Sequence, residues 1–191
     1  MTNLRTTTIR KATLDDAKEI AHCLFLAMED IVYEFIGEAS PEKGEAFLAH
    51  FTAQEHNQYS YQNCWVAEVD TRVVAALNLY DGARLPALRQ PVLDYISARR
   101  NQHFTPEQET QAGEYYIDSL GVDPSQQGNG IGTQLLQFVL AEYVHKRRQT
   151  IGLLVDEENP GAKRLYLKLG FKSVGSKNFL GKKMEHLQIR A

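Results

Sequence analysis

Gln127-Gly128-Asn129-Gly130-Ile131-Gly132 is the stretch whose reading decides how this sequence folds. Before it runs an apolar, β-like segment, Tyr115-Tyr116-Ile117-Asp118-Ser119-Leu120-Gly121-Val122, closed by Asp123-Pro124. After it comes a strongly helical run from Thr133 to Lys146. Strand, glycine-rich turn and helix start are the layout of a phosphate-binding site. The first N–H groups of a helix have no intrahelical acceptor, and the dipole adds roughly half a positive charge there. Gly128, Gly130 and Gly132 let a ligand approach the main chain without meeting a Cβ. No lysine follows the glycines, which argues against a Walker loop. Their Gly-x-Gly-x-Gly spacing also departs from the dinucleotide fingerprint.

A second segment has its own logic: Asn159-Pro160-Gly161-Ala162-Lys163-Arg164-Leu165-Tyr166-Leu167-Lys168-Leu169-Gly170-Phe171. Asn159 reads as an N-cap with Pro160 at the first helical position. Tyr166 lies seven residues after Asn159, nearly two turns, so both point to the same side. Ala162 on that side is small enough to let a ligand lie close. Gly170 ends the helix and Phe171 opens the next strand. The plainer alternative for Tyr166 is a core aromatic.

These two segments resemble the GNAT N-acetyltransferase family. Gln127, Gly130 and Gly132 fill the three defined positions of its Gln/Arg-x-x-Gly-x-Gly/Ala motif. Residues 159–171 match its later pattern, Asn-x-x-Ala-x-x-Leu/Phe-Tyr-x-Lys/Arg-x-Gly-Phe, at every defined position. The resemblance implies an α/β (α+β) GNAT fold. That fold has a mixed central sheet of about seven strands, a splayed pair formed by the fourth and fifth, and helices on both faces. It implies one domain over residues 1–191 and acetyl-coenzyme A as cosubstrate, with no metal. The diphosphate would lie on the amides of Gly128, Asn129, Gly130, Ile131 and Gly132, beside Gln127 and Thr133. The pantetheine arm would pair with main-chain groups near Leu120 and Val122, and Asn159, Ala162 and Tyr166 would complete the cofactor site. The implied reaction is acetyl transfer to a primary amine of a small molecule by direct attack, with Tyr166 protonating the departing thiolate. A protein or peptide amine acetyltransferase and a non-catalytic acyl-coenzyme A sensor are the alternatives.

Deprotonating the nucleophile is the harder step. An alkylamine with pKa ~10.4 costs roughly 4 kcal/mol to deprotonate at neutral pH, whereas a thiol near ~8.5 leaves fairly well. Glu114, Asp118, Leu120 and Val122 share strand parity, so the two carboxylates are expected to face one groove unless a bulge follows Leu120. Asp118 is the first candidate for general base and Glu114 the second. Solvated or salt-bridged strand residues are the bland alternative for both. Glu29, Asp30 and Glu34 either favour a cationic acceptor or simply form a wet helix face.

The rest of the chain agrees. At 191 residues it can bury a substantial core. A net charge of −3 and pI near 6.1 give no sign of a nucleic-acid surface. No apolar stretch approaches the ~20 residues of a membrane span, and Met1-Thr2-Asn3-Leu4-Arg5 does not read as a secretory leader. Cys23 and Cys64 read as small buried hydrophobes and the histidines show no ligand spacing, so a cytoplasmic protein is expected. Periodicity predicts a strand at Thr8–Lys11 and a helix capped by Thr13, with Ile20, Leu24, Ala27, Met28 and Ile31 inward. A second helix is expected over Pro41–Phe51, and a hairpin over Cys64–Val69 and Val73–Tyr80 turning at Asp70-Thr71-Arg72. Later strands are expected at Tyr115–Val122, Thr150–Val155, Phe171–Gly175 and Phe179–His186. Between the third and fourth strands roughly thirty residues, Gly82 to Ala112, replace the family's short turn. They predict a helix through Leu88, Val92, Tyr95 and Ile96, finished by Arg99-Arg100-Asn101, and a helical turn at Thr105–Glu109. This insertion reads as surface ornament, as a cover over the acceptor, or as a homodimer contact.

Overall fold

The computed structural model describes residues 7–100 and 104–191. The opening residues and Asn101 therefore lie outside the described residues. Among these described residues seven strands form one mixed sheet; counted in chain order they lie side by side as first, second, third, fourth, fifth, seventh and sixth. Contacts divide the chain into two compact units, Met1–Leu79 with Ser119–Phe138 and Tyr80–Asp118 with Val139–Ala191.

In the first unit β1 (Thr7–Lys11) pairs antiparallel with β2 (Cys64–Val69), and β2 with β3 (Arg72–Asp81). Asp70 and Thr71 take φ of 50° and 65°, so the hairpin closes through a two-residue turn whose twist suits the flanking strands. Thr13 donates its N–H to the Asp16 carboxylate at 2.7 Å and caps a short 3₁₀ turn that leads into α1 (Ala17–Ile36). Ser40 caps α2 (Pro41–Thr52), with Pro41 in the first turn. The core holds Ile20, Leu24, Met28, Val32 and Phe35 from α1 and Phe47, Leu48 and Phe51 from α2. Ala27 is exposed, against the helical spacing, because Met28 has φ −141° and the kink there resets the phase of the helix.

In the second unit a 3₁₀ turn at Gly82–Arg84 opens α3 (Leu85–Arg100), which buries Leu85, Leu88, Val92 and Ile96. Pro91 sits inside this helix. The helical turn expected at Thr105–Glu109 does not form, and residues 104–110 run without regular structure. Tertiary bonds replace it: Arg89 Nη1 donates to the Glu107 carbonyl at 3.1 Å, and the Leu180 N–H donates to Glu107 Oε2 at 3.0 Å. Strand β4 (Tyr115–Val122) runs parallel to β5 (Ile151–Asp156) over three pairs, Tyr115–Ile151 to Ile117–Leu153, where the ladder stops. This is the expected splay. After α5 (Pro160–Lys168), β6 (Lys172–Phe179) and β7 (Lys182–Ile189) form a hairpin turning at Leu180-Gly181, at φ 49° and 76°. The last strand therefore starts three residues later than the sequence predicts. A leucine in left-handed backbone gives little sequence warning of a turn.

The Gly82 N–H donates to the Glu114 carbonyl and the Asp123 N–H to the Val74 carbonyl, both at 2.8 Å. Between these bonds β4 is one residue longer than β3, which requires a bulge. The phase of β4 shows it as well. Tyr115 packs on Tyr143 at 4.9 Å between ring centres, while Leu120 and Val122 pack beneath Gly132 at the start of α4 (Ile131–Leu140), whose axis continues in π-helical turns to Lys146. The parity that grouped Asp118 with Leu120 and Val122 breaks at the bulge.

A methyl group at Gly121 would overlap the Cys23 carbonyl of α1, and neither main chain has a flexible end with which to yield. Gly121→Ala is expected to cost about 3 kcal/mol or more, at the upper end for overpacking. Urea unfolding with an unchanged midpoint would show that α1 does not press on β4.

Candidate functional site

The glycine turn is assembled entirely within the first unit. After β4, Asp123 caps a 3₁₀ turn over Pro124–Gln126, accepting from the Ser125 N–H at 2.9 Å and its hydroxyl at 2.6 Å. Those two bonds outweigh burial and, with Arg72 at 3.0 Å, hold the Asp123 carboxyl below its usual range. Gln127 folds back to donate to the Val122 carbonyl at 3.0 Å. Gly128 and Gly130 take φ of 79° and 76°, and a Cβ on either would meet open space. Gly132 differs, for its missing Cβ makes room for Val122, so it serves helix–strand packing. An open groove of about 310 Å³ is lined by Val122, residues 126–128 and residues 130–133. No lysine or arginine lies between Asp123 and His145. What the turn itself presents to the groove is main-chain amides and the N-terminal end of the α4 dipole.

The second unit carries Tyr166, Glu114 and Asp118. Asn159 accepts from the Ala162 N–H at 3.0 Å and starts α5, as the sequence implies. Tyr166 is half-buried, its ring edge-on to Phe171 at 5.7 Å, and burial raises its phenol above the ordinary value of 10. Among the described residues no partner of its hydroxyl is found. Such a group stays protonated at neutral pH.

Glu114 and Asp118 lie on one face of the second unit with very different surroundings. Glu114 is 2 % exposed and accepts from Thr110 at 2.7 Å, Gln188 at 2.7 Å and the His186 ring at 2.9 Å. Its carboxyl occupies the space above Gly152 that any side chain would fill. Burial works to raise its pKa, but the bonds from His186, Thr110 and Gln188 leave it lowered. Asp118 is half-exposed and accepts from Tyr80 Oη at 2.7 Å. Geometry thus makes Glu114 a fastener of the sheet and leaves Asp118 the carboxylate that a second molecule can reach.

Sequence reasoning missed Tyr80, Arg89 and Glu109, which the fold gathers beside Asp118. One signal was available. Arg89 interrupts the apolar stripe of Leu85, Leu88, Val92 and Ile96, so its charge had to be buried and paired. Glu29, Asp30 and Glu34 are exposed on α1. Among the described residues no three His, Cys, Asp or Glu side chains group as metal ligands, and no helix is long and apolar enough to cross a membrane.

The model of the Acetyltransferase (GNAT) family matches residues 28–171, most of the chain and both motifs. The chain belongs to the GNAT acetyltransferase family. A mycothiol acetyltransferase of Thermomonospora curvata is 41 % identical over 135 residues, 69 % of this chain and 41 % of that protein. The N-alpha-acetyltransferase RimI of Mycobacterium tuberculosis is 40 % identical over 62 residues, 32 % of this chain and 37 % of its own. This GNAT chain thus spans less than half of the curated relatives it matches, and only 22 % of the mycothiol acetyltransferase of Gordonia bronchialis. Solved structures match it nearly end to end. An N-acetyltransferase from Staphylococcus aureus superposes with TM-score 0.83 at 23 % identity, covering 95 % of this chain and all of that one. An acetyltransferase structure at 30 % identity gives 0.77 and covers 96 % and 98 %. A Salmonella typhimurium acetyltransferase, yncA, solved with acetyl-coenzyme A, superposes at 0.55 with 16 % identity, covering 97 % and 91 %.

Glu114 generates a pH prediction. Its folded pKa lies below the unfolded value near 4.5, so its contribution is complete above that pH and is lost as pH falls through the folded pKa. Glu114→Gln should cost about 1–3 kcal/mol at neutral pH, the range for a broken buried hydrogen-bond network. The gap from wild type should close on acidification below pH 4. Thermal melts in which the gap stays constant from pH 7 to 3 would contradict this.

Proposed function

We propose that this GNAT domain transfers the acetyl group of acetyl-coenzyme A to a primary amine of a small molecule by direct attack. The observation that carries the reading is Tyr166: a phenol kept protonated by burial, on a helix whose capped start fixes its direction. A binding module for acyl-coenzyme A would have no use for it. The glycine turn supports the same reading, because its uncharged amides and open groove fit a diphosphate.

Acetyl-coenzyme A supplies a thioester carbonyl open to amine attack. Amides from Gly128 to Gly132 hold the diphosphate, with Gln127, Asn129, Ile131 and Thr133 around it. Main-chain groups at Leu120 and Val122 hold the pantetheine arm, and Asn159 and Ala162 shape the wall of the site. Asp118 takes a proton from the acceptor nitrogen, and a β4 N–H stabilises the oxyanion. As the C–S bond breaks, the Tyr166 hydroxyl gives its proton to the thiolate. The recurrence of mycothiol acetyltransferases among the relatives supports a small-molecule acceptor. RimI keeps a peptide α-amine as the second reading. Two free buried cysteines suit a reducing compartment, and on that ground we place the protein in the cytoplasm.

Thiol release with a panel of small amines and peptides tests the function, and an amine-independent signal at background level throughout would leave only the sensor reading. Two substitutions test the placements. Gly130→Val puts a branched side chain on left-handed backbone in the groove. It should weaken acetyl-coenzyme A binding more than tenfold, while the backbone strain, about 1–2 kcal/mol, lowers the melting temperature by a few degrees without unfolding the protein. Unchanged calorimetric affinity would move the diphosphate elsewhere. Tyr166→Phe should preserve that affinity while lowering kcat about ten- to a hundredfold, the lower part of the range for a positioned acid. The loss should shrink with a thioester whose thiol is more acidic. Wild-type kcat under chemistry-limited conditions would reduce Tyr166 to packing.

A further inference from the structure

Four side chains of the second unit link the insertion to the candidate base. Arg89 on α3 and Glu109 on the returning segment are 4 % and 2 % exposed and form a buried ion pair. The Arg89 guanidinium also lies 5.9 Å from the centre of the Phe179 ring. Glu109 Oε1 is 3.4 Å from Tyr80 Oη, and Tyr80, itself 3 % exposed, donates to Asp118 Oδ2 at 2.7 Å. One hydroxyl proton therefore stands between two carboxylates. Stability does not account for the arrangement, since a buried ion pair is commonly matched or bettered by apolar side chains of equal volume. The groups facing Glu109 include Arg89 from α3, Tyr80 from β3, and Asp118 and Tyr116 from β4, with Glu114 just before that strand.

We infer that Glu109, held by Arg89, is a positioning residue for Asp118 and acts on it through the Tyr80 hydroxyl. This rests on Asp118 as the base in the reaction proposed above. While Asp118 is ionised, the Tyr80 hydrogen points to it. When Asp118 takes a proton from the acceptor nitrogen, an N–H bond breaks and an Asp118 O–H bond forms. The new O–H then turns to Tyr80 Oη, and the Tyr80 hydrogen swings to Glu109 Oε1. Tyr80 ends with the one proton it began with, Glu109 stays ionised beside Arg89, and no heavy atom travels. Burial, with the charges of Asp118 and Glu109, holds the Tyr80 phenol far above its ordinary range, so it relays direction without losing its proton. Burial also pushes the Glu109 carboxyl up to about 7 against the pull of Arg89. Its accepting form is thus present above neutral pH and fades below it.

The test is steady-state kinetics against pH at saturating acetyl-coenzyme A, with the best amine of the thiol-release panel. Wild type should show an acid limb in kcat/KM near neutrality. Glu109→Gln should lower kcat about tenfold and abolish that limb, because the carboxyl whose protonation produces it is gone. Acetyl-coenzyme A affinity, measured by calorimetry, should not change. Tyr80→Phe cuts the same link without touching the ion pair, so it carries the test even if Glu109→Gln folds poorly. It should cost kcat a similar factor, and the double variant should be no worse than Tyr80→Phe alone. Wild-type kcat and pH profile in both single variants, or losses that multiply in the double, would overturn the inference. Asp118→Asn separates the two levels. A loss above a hundredfold there, with silent Glu109→Gln and Tyr80→Phe, sinks only the positioning role. An unimpaired Asp118→Asn, or a panel in which no amine is acetylated, sinks both.

Discussion

The parallel ladder between β4 and β5 ends at Ile117–Leu153 although both strands continue. Main-chain N–H and C=O groups must find partners, and a strand that leaves its ladder must take them from elsewhere. Here β4 gains a bulge, and beyond it Leu120 and Val122 come under the first turn of α4. Gly121 on the other side lets the Cys23 carbonyl of α1 come close. The strand is thus gripped by helices where its sheet partner is lost. That grip aims the glycine turn, since Asp123 is tied at once to Val74, Ser125 and Arg72.

Charge is distributed with the same economy. The glycine turn has no cation of its own in sequence, so it offers amides and a dipole, which recognise an anion by shape and direction. Buried carboxylates occur in both units, Asp16 and Asp123 in the first and Glu109 and Glu114 in the second. There Glu109 is matched by Arg89 and Glu114 by the His186 ring, at sites where an unpaired carboxylate would cost several kcal/mol. Both pairs engage the insertion, the first through α3 and Glu109 and the second through Thr110. The insertion is accordingly built into its unit rather than laid upon it.

Glu114 and Asp118 show how environment divides two chemically similar groups. Three donors and the space over Gly152 commit Glu114 to structure. Asp118 accepts from the Tyr80 phenol and stays half-exposed. The strand alternation that brought both to one face says nothing of this difference, because two of the three donors to Glu114 come from residues more than seventy positions away.

The sequence by itself determined the local pieces. Gly128 and Gly130 could be read as turn glycines and Asn159 as a cap because each acts through backbone within a few residues of itself. The hairpin at Asp70-Thr71 and the apolar faces of α1 and α2 were legible for the same reason, and the family motifs tied these pieces to acetyl transfer. Tertiary structure decided the rest. The kink at Met28 turned Ala27 outward, and bonds from Arg89 and Leu180 held residues 104–110 out of a helix. A bulge separated Asp118 from Leu120 and Val122, and folding gathered Tyr80, Arg89 and Glu109 around that same carboxylate. Each depends on groups distant in the chain, whose desolvation and pairing energies exist only once the fold has brought them together.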